Sequence, residues 1–555
     1  MSMIKVGTLD FKKYIESGDL YVDKTLFIKE FIDEGSEVNL ITRPRRFGKT
    51  LNVSMLKYFF DYKNKEENEK LFNGLNISKE KELCDKHQNQ YPVIFISLKD
   101  CKAKDWETCF KKKIKYLIQL MYEEHSYLKD MLSGIHLKAF NNILEDRAED
   151  SDYDSALAKL IRYLKLASGK EVIVLIDEYD APIQYAYSKD KEYFEEAIEF
   201  FREFLSSALK GQLGIYKALL TGILRVSKEN MFSGLNNLKV ITILDDLYAD
   251  KFGFTEDEVK WLLKESKSKL TIEEIREWYN GYNIGGYQIY NPWSTCNAIK
   301  SNEIDYYWKN TSENQLLFEI MEESSSKSLA LLEELKEDGS IAKNKVITQN
   351  TPLQDITTDE THLWTLLLFS GYLTTDGKIN EKTYNLKVPN KEIQDVFVDF
   401  IKRISTKYIR DVSAIERGIY EKNYGKFEEG LNRKMLEVLS MFDIGVGKEY
   451  AYHTFMIGTL GMLINYEIVS NIERKEGRCD ILMKEKEGDK IYIFEFKRAQ
   501  KEEDMDRRCE EAMEQIDTRY SKGGEIKIGI AFYKKSAKVM VKEQDKVLFY
   551  RDKVN

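Results

Sequence analysis

Cysteine, proline and histidine are scarce in this sequence: its 555 residues include 6 Cys, 6 Pro and 5 His. The absence of any CxxC pair argues against a structural zinc cluster, and scattered cysteines indicate a reducing compartment. So few prolines exclude a proline-rich stalk. No signal-peptide core opens the chain, and its longest apolar run, 455–466, is about half of the ~20 residues that span a membrane. The sequence predicts a soluble, cytoplasmic protein without a membrane partner.

The overall charge is low for a chain of this length. It is −9, from 85 basic and 94 acidic residues, so any binding of nucleic acid would depend on local patches. Hydrophobic residues make up 43% and aromatic residues 12%, which is ample for packed cores and excludes intrinsic disorder. At roughly 100–200 residues per domain, the length allows about three to five domains.

We divide the chain into three blocks, at 1–250, 251–420 and 421–555. The first alternates short β-branched runs with amphipathic, charge-rich stretches such as 192–209, which is typical of a parallel α/β sheet. Its near-continuous apolar runs predict buried strands. These strands are 38–42, 93–98, 172–177 and 216–222.

The second block is predicted to be mainly helical. Thr255 and Glu258 form a capping-box pattern, and the stretch 278–294, WYNGYNIGGYQIYNPWS, is predicted to be an ordered loop. The third block is predicted to run in the order α-β-β-α-β. Its elements are a helix at 447–464, strands at 479–484 and 491–497, a charged helix to about 520 and a strand at 526–532.

The segment 43–50, RPRRFGKT, directly follows the first strand. In a phosphate-binding P-loop, GxxxxGK[ST], the lysine reaches the β- and γ-phosphates and the hydroxyl binds Mg²⁺. Gly48, Lys49 and Thr50 fit this pattern, whereas Arg43 stands where the first glycine belongs. Backbone N–H groups at the following helix N-terminus would hold phosphate oxygens. Taken alone, the segment is equally well explained as a solvated basic turn.

A second strand ends in two acids, in the order that nucleotide hydrolysis requires. Residues 172–180 read VIVLIDEYD, so Asp177 and Glu178 directly follow a buried strand. In a Walker B strand the first acid lies near the Thr–Mg²⁺ pair, and the second orients or deprotonates the attacking water. Buried strands often end in solvated carboxylates, but both motifs together favour nucleotide binding.

A third strand ends at Thr221, and Arg225 follows four residues later. Thr221 is a candidate sensor of the γ-phosphate. Arg225 would stabilise transferred charge, either in its own chain or toward a neighbouring subunit of a homo-oligomer. A strand cap and a surface cation explain the same residues.

The third block contains a carboxylate–lysine pattern, Asp480-x14-Glu495-x-Lys497. The polar stretch between the acids predicts a hairpin. The numbers 480 and 495 sum to 975, so a turn centred between 487 and 488 would place the two acids opposite each other. Paired carboxylates bind Mg²⁺ or Mn²⁺, which lowers the pKa of bound water, and the lysine would position that water. A structural Glu–Lys ladder has the same spacing.

His453, on the helix before this hairpin, is a candidate third metal ligand, although a lone histidine on a helix is often structural. On the helix after the hairpin, Gln515 and Tyr520 are candidate contacts to a nucleic-acid backbone.

Several segments together resemble a bacterial protein family: RPRRFGKT, LIDEYD, LTGILRVSKENMFSGLNN, FGFTEDEV, WYNGY, YNPWS and LKVPNKE. That family has an N-terminal AAA-ATPase-like domain, and GRCDILM with IFEFK resembles its C-terminal PD-(D/E)XK nuclease domain. The resemblance covers nearly the whole chain. It implies a P-loop α/β domain over 1–250, a helical lid or winged-helix-like region over 251–420 and a restriction-endonuclease-like α/β domain over 421–555.

The resemblance gives the nucleotide roles to Lys49, Thr50, Asp177 and Glu178. It gives the nuclease roles to Asp480, Glu495 and Lys497, and His453 matches a helix position that is histidine in some nuclease domains of that superfamily. These residues and the candidates above make up the predicted sites. The predicted nucleotide-binding residues are Arg46, Phe47, Gly48, Lys49, Thr50, Asp177 and Thr221, with ATP as the cofactor. The predicted catalytic residues are Glu178, Arg225, Asp480, Glu495 and Lys497. The predicted metal ligands are Thr50, Asp177, Asp480, Glu495 and His453. The departures are Arg43 in the P-loop and Cys479, where the superfamily name puts proline before the acid.

Three functions remain open from the sequence. The leading hypothesis is an ATP-dependent or ATP-gated Mg²⁺ nuclease whose nucleic-acid partner is DNA. The second is a nucleotide-dependent switch or scaffold whose C-terminal domain binds nucleic acid or protein without cutting. The third is a nucleoside triphosphatase that acts on a protein client.

Overall fold

The structure is a computed structural model, and the residues that it describes are 4–210, 214–224, 232, 235, 237–308, 341–348, 360–397, 412–438, 449–463, 465–474, 477–521, 523–544 and 546–550. The chain is mixed α/β and forms two compact units. The first unit contains Met1–Ile320 and Lys343–Ile393, and the second contains Met321–Ala342 and Gln394–Asn555. The block boundaries at 250 and 420 remain a prediction.

A parallel five-stranded sheet forms the centre of the first unit. Its strands are β1 (Val38–Thr42), β2 (Val93–Ser97), β3 (Val172–Asp177), β4 (Ile215–Gly222) and β5 (Leu238–Ile241). Their order is β2-β3-β4-β1-β5. All residues of β1 and β3 are buried, as expected for strands that are covered on both faces. The helices of this part are α1 (Phe11–Glu16), α2 (Leu26–Asp33), α3 (Lys49–Phe60), α4 (Lys65–Lys70), α5 (Lys81–His87), α6 (Trp106–Cys109), α7 (Lys115–Glu123), α8 (Gly134–Leu144), α9 (Asp150–Asp154), α10 (Ala156–Ser168), α11 (Ala181–Tyr187) and α12 (Lys191–Leu209).

The four strands that the sequence predicts in the first block are confirmed within one or two residues, and so is the helix predicted over 192–209. The sequence analysis missed β5. This strand has only four residues, one of which is buried, because it lies at the sheet edge and pairs with β1 alone. A short, half-exposed edge strand lacks the apolar run on which the prediction depends.

The middle of the chain contains more β-structure than the sequence predicts. Its helices are α13 (Glu256–Ser266), α14 (Ile272–Tyr279), α15 (Pro292–Ser301) and α16 (Glu360–Ser370). Its strands are β6 (Tyr282–Ile284), β7 (Tyr287–Ile289), β8 (Ile341–Val346), β9 (Thr374–Lys378) and β10 (Thr383–Lys387). The capping box of Thr255 and Glu258 is confirmed.

The loop predicted at 278–294 was wrong in its centre. The stretch begins with the end of α14, forms the β6–β7 hairpin and enters α15. Gly285 and Gly286 both have positive φ, at +54° and +91°, which forms the two-residue turn of that hairpin. The abundant glycine and asparagine therefore mark a tight hairpin turn and a helix cap.

The second unit contains a mixed six-stranded sheet in the order β11-β12-β13-β14-β15-β16. These strands are β11 (Tyr466–Arg474), β12 (Gly477–Glu485), β13 (Ile491–Arg498), β14 (Ile526–Tyr533), β15 (Ser536–Glu543) and β16 (Lys546–Tyr550). The helices are α17 (Ser413–Tyr420), α18 (Tyr424–Val438), α19 (Glu449–Gly461) and α20 (Met505–Gln515). β13 and β14 are parallel, and the chain between them passes through α20.

The predicted order α-β-β-α-β is confirmed for the elements that it names, but it omits β11, β15 and β16. Charged residues at alternating or neighbouring positions interrupt the apolar pattern of these strands. They are therefore recognised as strands only from their pairing with antiparallel neighbours. Among the residues described, no helix is both long and apolar enough to cross a bilayer.

Candidate functional site

The phosphate loop connects β1 to α3 at the carboxyl edge of the parallel sheet. α3 begins at Lys49, and Gly48 before it has a left-handed backbone, with φ +81°. A Cβ atom at Gly48 would meet nothing within 4 Å, so the space in front of the helix N-terminus is open. Free N–H groups at such an N-terminus bind phosphate oxygens. The local geometry therefore fits an anionic ligand.

Lys49 is buried at the start of this helix. Its Nζ atom donates hydrogen bonds to the backbone carbonyl oxygens of Arg43 and Pro44, both at 2.9 Å. Burial lowers the pKa of Lys49, whereas the nearby charges of Glu178 and Asp177 act in the opposite direction. The carbonyl oxygens of the loop thus hold the ammonium group in place.

Asp177, the predicted Walker B acid, joins one threonine of α3 and one of β4. Thr50 Oγ1 donates to Asp177 Oδ2 at 2.7 Å, and Thr221 Oγ1 donates to Asp177 Oδ1 at 2.6 Å. This arrangement is possible because β4, which ends near Thr221, lies between β1 and β3. Hydroxyl and carboxylate oxygens are hard donors that suit Mg²⁺. The donor set therefore fits the predicted metal.

Glu178 follows Asp177 with a left-handed backbone, at φ +53°, which is rare for a residue other than glycine. It lines the cavity in front of the phosphate loop.

Asp180, which the sequence analysis missed, is buried and accepts hydrogen bonds from the backbone N–H groups of Ile223 and Leu224, at 2.9 and 2.8 Å. Burial raises its pKa, and these N–H groups oppose that effect. The sequence signal that could have identified Asp180 was its position as the third acid of LIDEYD.

The cavity has a volume of about 450 Å³, within the ordinary range for small-molecule sites. The phosphate loop and Glu178 are among the residues that line it. Apolar side chains from other segments also line it, including Phe254, Leu262 and Trp293. A cavity lined by both charged and aromatic or aliphatic side chains suits a nucleotide, which has charged phosphates and a flat base.

Of the large side chains of the phosphate loop, Arg45, Arg46 and Phe47 line the cavity, whereas Arg43 does not. Arg43 is fully buried and donates to the backbone carbonyls of Thr42, Leu247 and Tyr248, at 2.9, 3.3 and 3.4 Å. Burial lowers its pKa to about 10. Arg43 therefore has a structural role, which explains how it can replace the glycine.

Arg46 and Phe47 contact aromatic residues of the middle block. The Arg46 guanidinium lies 4.3 Å from the centre of the Trp293 ring, and Phe47 packs edge-on against Tyr282 at 4.9 Å. The sequence analysis did not connect these aromatic residues with the phosphate loop. Arg46 and Trp293 are separated by 246 residues of chain, and no local sequence pattern signals a contact over such a distance. Arg225 lies outside the described residues, so its predicted role remains a prediction.

The predicted hairpin of the second unit is confirmed. Ile481 pairs with Phe494 and Leu482 with Ile493, which is the predicted register with a sum of 975. Glu485 N–H donates to the Lys490 carbonyl at 3.1 Å and closes the turn.

The side chains that the sequence predicts to act at this hairpin lie together. Asp480 Oδ2 accepts a hydrogen bond from the backbone N–H of Phe496 at 2.7 Å. Lys497 Nζ donates to Glu495 Oε1 at 2.9 Å, with the two side chains 20% and 4% exposed. Two carboxylates and a lysine at one place on adjacent strands suit a divalent cation and a phosphodiester.

His453 contacts this site through the backbone of Asp480. Its Nε2 atom is 3.1 Å from the carbonyl oxygen of Asp480, so this nitrogen donates to the backbone and holds it in place. Within the described ranges, no group of three or more His, Cys, Asp and Glu side chains is arranged to hold a metal ion. The role of His453 as a ligand therefore remains a prediction.

Tyr520 is a further residue of this region. It is buried at the end of the π-helical turn Ile516–Tyr520 and accepts a hydrogen bond from Gln515. Burial raises the pKa of Tyr520, and the charges of Glu495 and Asp480 raise it further. The phenol is thus within electrostatic reach of both acids.

Two family models match the chain. Residues 5–232 match a family described as "Predicted AAA-ATPase", and residues 447–542 match the PD-(D/E)XK nuclease superfamily. The chain is also 30% identical over 396 residues to an "Uncharacterized protein in vnfD 5'region" from Azotobacter chroococcum mcd 1, an alignment that covers 70% of this chain and 68% of the relative. The chain belongs to the AAA-ATPase-like family that carries a C-terminal PD-(D/E)XK nuclease domain.

Domains of these two kinds use nucleotides and divalent metal ions, and a nuclease-superfamily domain indicates a nucleic-acid substrate. At this coarse level the chain is a nucleotide-dependent nuclease of the hydrolase class.

Proposed function

We propose that this protein is an ATP-dependent or ATP-gated, Mg²⁺-dependent nuclease that acts on DNA. The observation that carries the proposal is the presence of two separate constellations on one chain. One joins Lys49, Thr50 and Asp177 in the first unit, and the other joins Asp480, Glu495 and Lys497 in the second. A chain with a single site would not need the other set of buried charges, since such charges are costly without a ligand or a role.

At the nucleotide site, the N-terminus of α3 and Lys49 bind the phosphates. Thr50 and Asp177 hold Mg²⁺, and Thr221 orients the Asp177 carboxylate through its 2.6 Å hydrogen bond. Glu178 accepts the proton of the attacking water, whose attack releases the terminal phosphate and leaves a diphosphate. The Mg²⁺ ion would supply positive charge that offsets the charge of the phosphates.

At the nuclease site, Asp480 and Glu495 hold Mg²⁺ or Mn²⁺. The metal would lower the pKa of the attacking water. Lys497, held by Glu495, positions that water or stabilises the charge that develops on the phosphate. His453 keeps the Asp480 backbone in place. The oxygen of the water bonds to the phosphorus atom while the P–O bond to the leaving sugar oxygen breaks. The attacking water gives up a proton to solvent, and the leaving oxygen takes up a proton from solvent.

Cleavage of supercoiled, linear and single-stranded DNA in Mg²⁺ or Mn²⁺, with and without ATP, tests this proposal. We expect Lys497→Ala to reduce cutting by at least roughly a hundredfold, because removal of one group that stabilises a charged transition state costs about that much. The exposed Lys501 on the same segment provides a matched control as Lys501→Ala. We expect Lys49→Ala to abolish only the ATP-dependent part of cutting.

The outcomes separate the alternatives. DNA left intact in every reaction while ATP is hydrolysed would overturn the nuclease and favour the switch or scaffold. Cleavage of RNA while DNA stays intact would keep the proposed nuclease activity and change its substrate from DNA to RNA. Failure of any oligonucleotide to bind at low salt would favour a triphosphatase with a protein client, because phosphate contacts are strongest at low salt.

Two further properties belong to this proposal. A cytoplasmic location is supported by the six cysteines, all of which are free thiols and five of which are buried. Homo-oligomer formation remains a prediction, which light scattering of the purified chain with and without ATP measures directly.

A further inference from the structure

The cavity in front of the phosphate loop has a strongly basic lining. Nine Lys and Arg residues line it, against only Glu178 and Asp180 as acids. Several of these cations already have a structural partner. Lys24 pairs with Glu258 at 2.5 Å, and Lys251 pairs with Glu30 at 2.9 Å. Lys99 and Lys102 are two further cations of this lining.

Lys99 and Lys102 contribute part of that charge from the loop that follows β2. β2 is the edge strand next to β3, and Ser97 pairs with Asp177. The N–H of Leu98 donates to the Asp177 carbonyl at 3.0 Å, so the loop starts directly beside the Walker B acid. Both lysines line the cavity, and their loop starts beside Asp177.

The loop is anchored between these two lysines. Cys101 is 2% exposed, and its N–H donates to the Leu98 carbonyl at 3.2 Å. The N–H of Lys102 donates to the Asp100 carbonyl at 2.8 Å. A buried side chain and two tight turns hold the backbone, so the lysines extend from a defined position.

Neither side chain has an ion pair or hydrogen bond among the residues that the structure describes, although both are partly buried. Lys104, two residues farther along, is 83% exposed and pairs with Asp105 at 3.7 Å. Partly buried cations without a counter-charge are unfavourable, and an anionic ligand in the cavity would offset that cost.

We propose that Lys99 and Lys102 bind the terminal phosphate of the nucleoside triphosphate and make the site distinguish a triphosphate from a diphosphate. This proposal rests on the proposed nucleotide function. The terminal phosphate is the part that meets Glu178, because that acid serves the attacking water. The base would contact the apolar part of the lining, which includes Phe254 and Leu262. The β2 loop therefore supplies, within one chain, cations for the end of the ligand that hydrolysis removes.

Calorimetric titration of the full chain with Mg²⁺ and either ADP or a non-hydrolysable ATP analogue tests this proposal. In the double variant Lys99→Gln/Lys102→Gln, we expect affinity for the analogue to fall by roughly tenfold to a hundredfold relative to ADP, because each lost contact joins a cation and an anion. Lys104→Gln should keep the wild-type ratio, and Lys99→Arg/Lys102→Arg should keep most of it.

An unchanged ratio of analogue to ADP affinity in the Gln double variant would overturn this proposal and leave the nucleotide site intact. An equal loss of affinity for both nucleotides would also overturn it, since the lysines would then bind phosphates common to both. Wild-type protein that binds neither nucleotide would overturn the proposed nucleotide site itself. Tryptophan fluorescence of each variant verifies that the first unit is folded.

Discussion

Glu392 provides a prediction about stability that follows from one buried carboxyl group. The residue is fully buried, and its oxygens accept hydrogen bonds from Ser294 Oγ at 2.8 Å and from the backbone N–H of Trp308 at 2.5 Å. Burial raises its pKa from the ordinary 4.5 to about 7, and those two donors oppose the effect without cancelling it.

The sign of the pH dependence follows from this raised pKa. The folded protein holds the proton more tightly than the unfolded chain, so Glu392 contributes stability below pH 4.5 that is lost as the pH rises through about 7. Each pKa unit corresponds to about 1.4 kcal/mol. Between pH 5 and pH 8 the wild type should therefore lose roughly 2–3 kcal/mol of unfolding free energy through this residue. Glu392→Gln, which keeps the shape and cannot ionise, should remove that loss.

Urea unfolding at pH 5 and pH 8, followed by tryptophan fluorescence, measures this difference. All 6 tryptophans lie in the first unit, which also contains Glu392, so the signal reports on that unit. Glu265→Gln, at an exposed position of the same unit, is the matched control and should behave as the wild type. The reasoning is refuted if Glu392→Gln loses as much stability between the two pH values as the wild type does.

Two further predictions concern the backbone and the phosphate loop. Arg43→Gly introduces the glycine of the standard P-loop pattern. It should lower the unfolding free energy by about 3 kcal/mol, because buried carbonyls lose their donor, and it should not tighten nucleotide binding. Unchanged urea unfolding would contradict the structural role of Arg43. Gly281→Ala should cost more than about 2 kcal/mol, because its φ is +94° and the added Cβ would overlap the Pro389 carbonyl. Gly286→Ala has a similar φ of +91° with open space around it and isolates the cost of the backbone angle; equal urea unfolding of the two variants would contradict the overlap.

Tertiary contacts assigned roles that the local sequence could not. Arg43 occupies a glycine position and points into the core, where carbonyls of residues more than 200 positions away accept its hydrogen bonds. Asp180 reads as a third surface acid, yet it is buried against the end of β4. Trp293 reads as part of a loop, yet its ring lies under Arg46. Each role depends on partners that are distant in the sequence.

The sequence by itself determined the elements and motifs whose signal is local. Continuous apolar runs specify the buried strands β1 to β4, and period-two spacing with a polar turn specifies the register that pairs Ile481 with Phe494. Only the tertiary structure decided the strand order that brings Thr221 to Asp177, the strands β5, β11, β15 and β16, and the approach of the β2 loop to the cavity in front of the predicted phosphate loop. The physical reason is that strand order and side-chain partners are selected by packing of the whole sheet, whereas a run of apolar residues needs only burial.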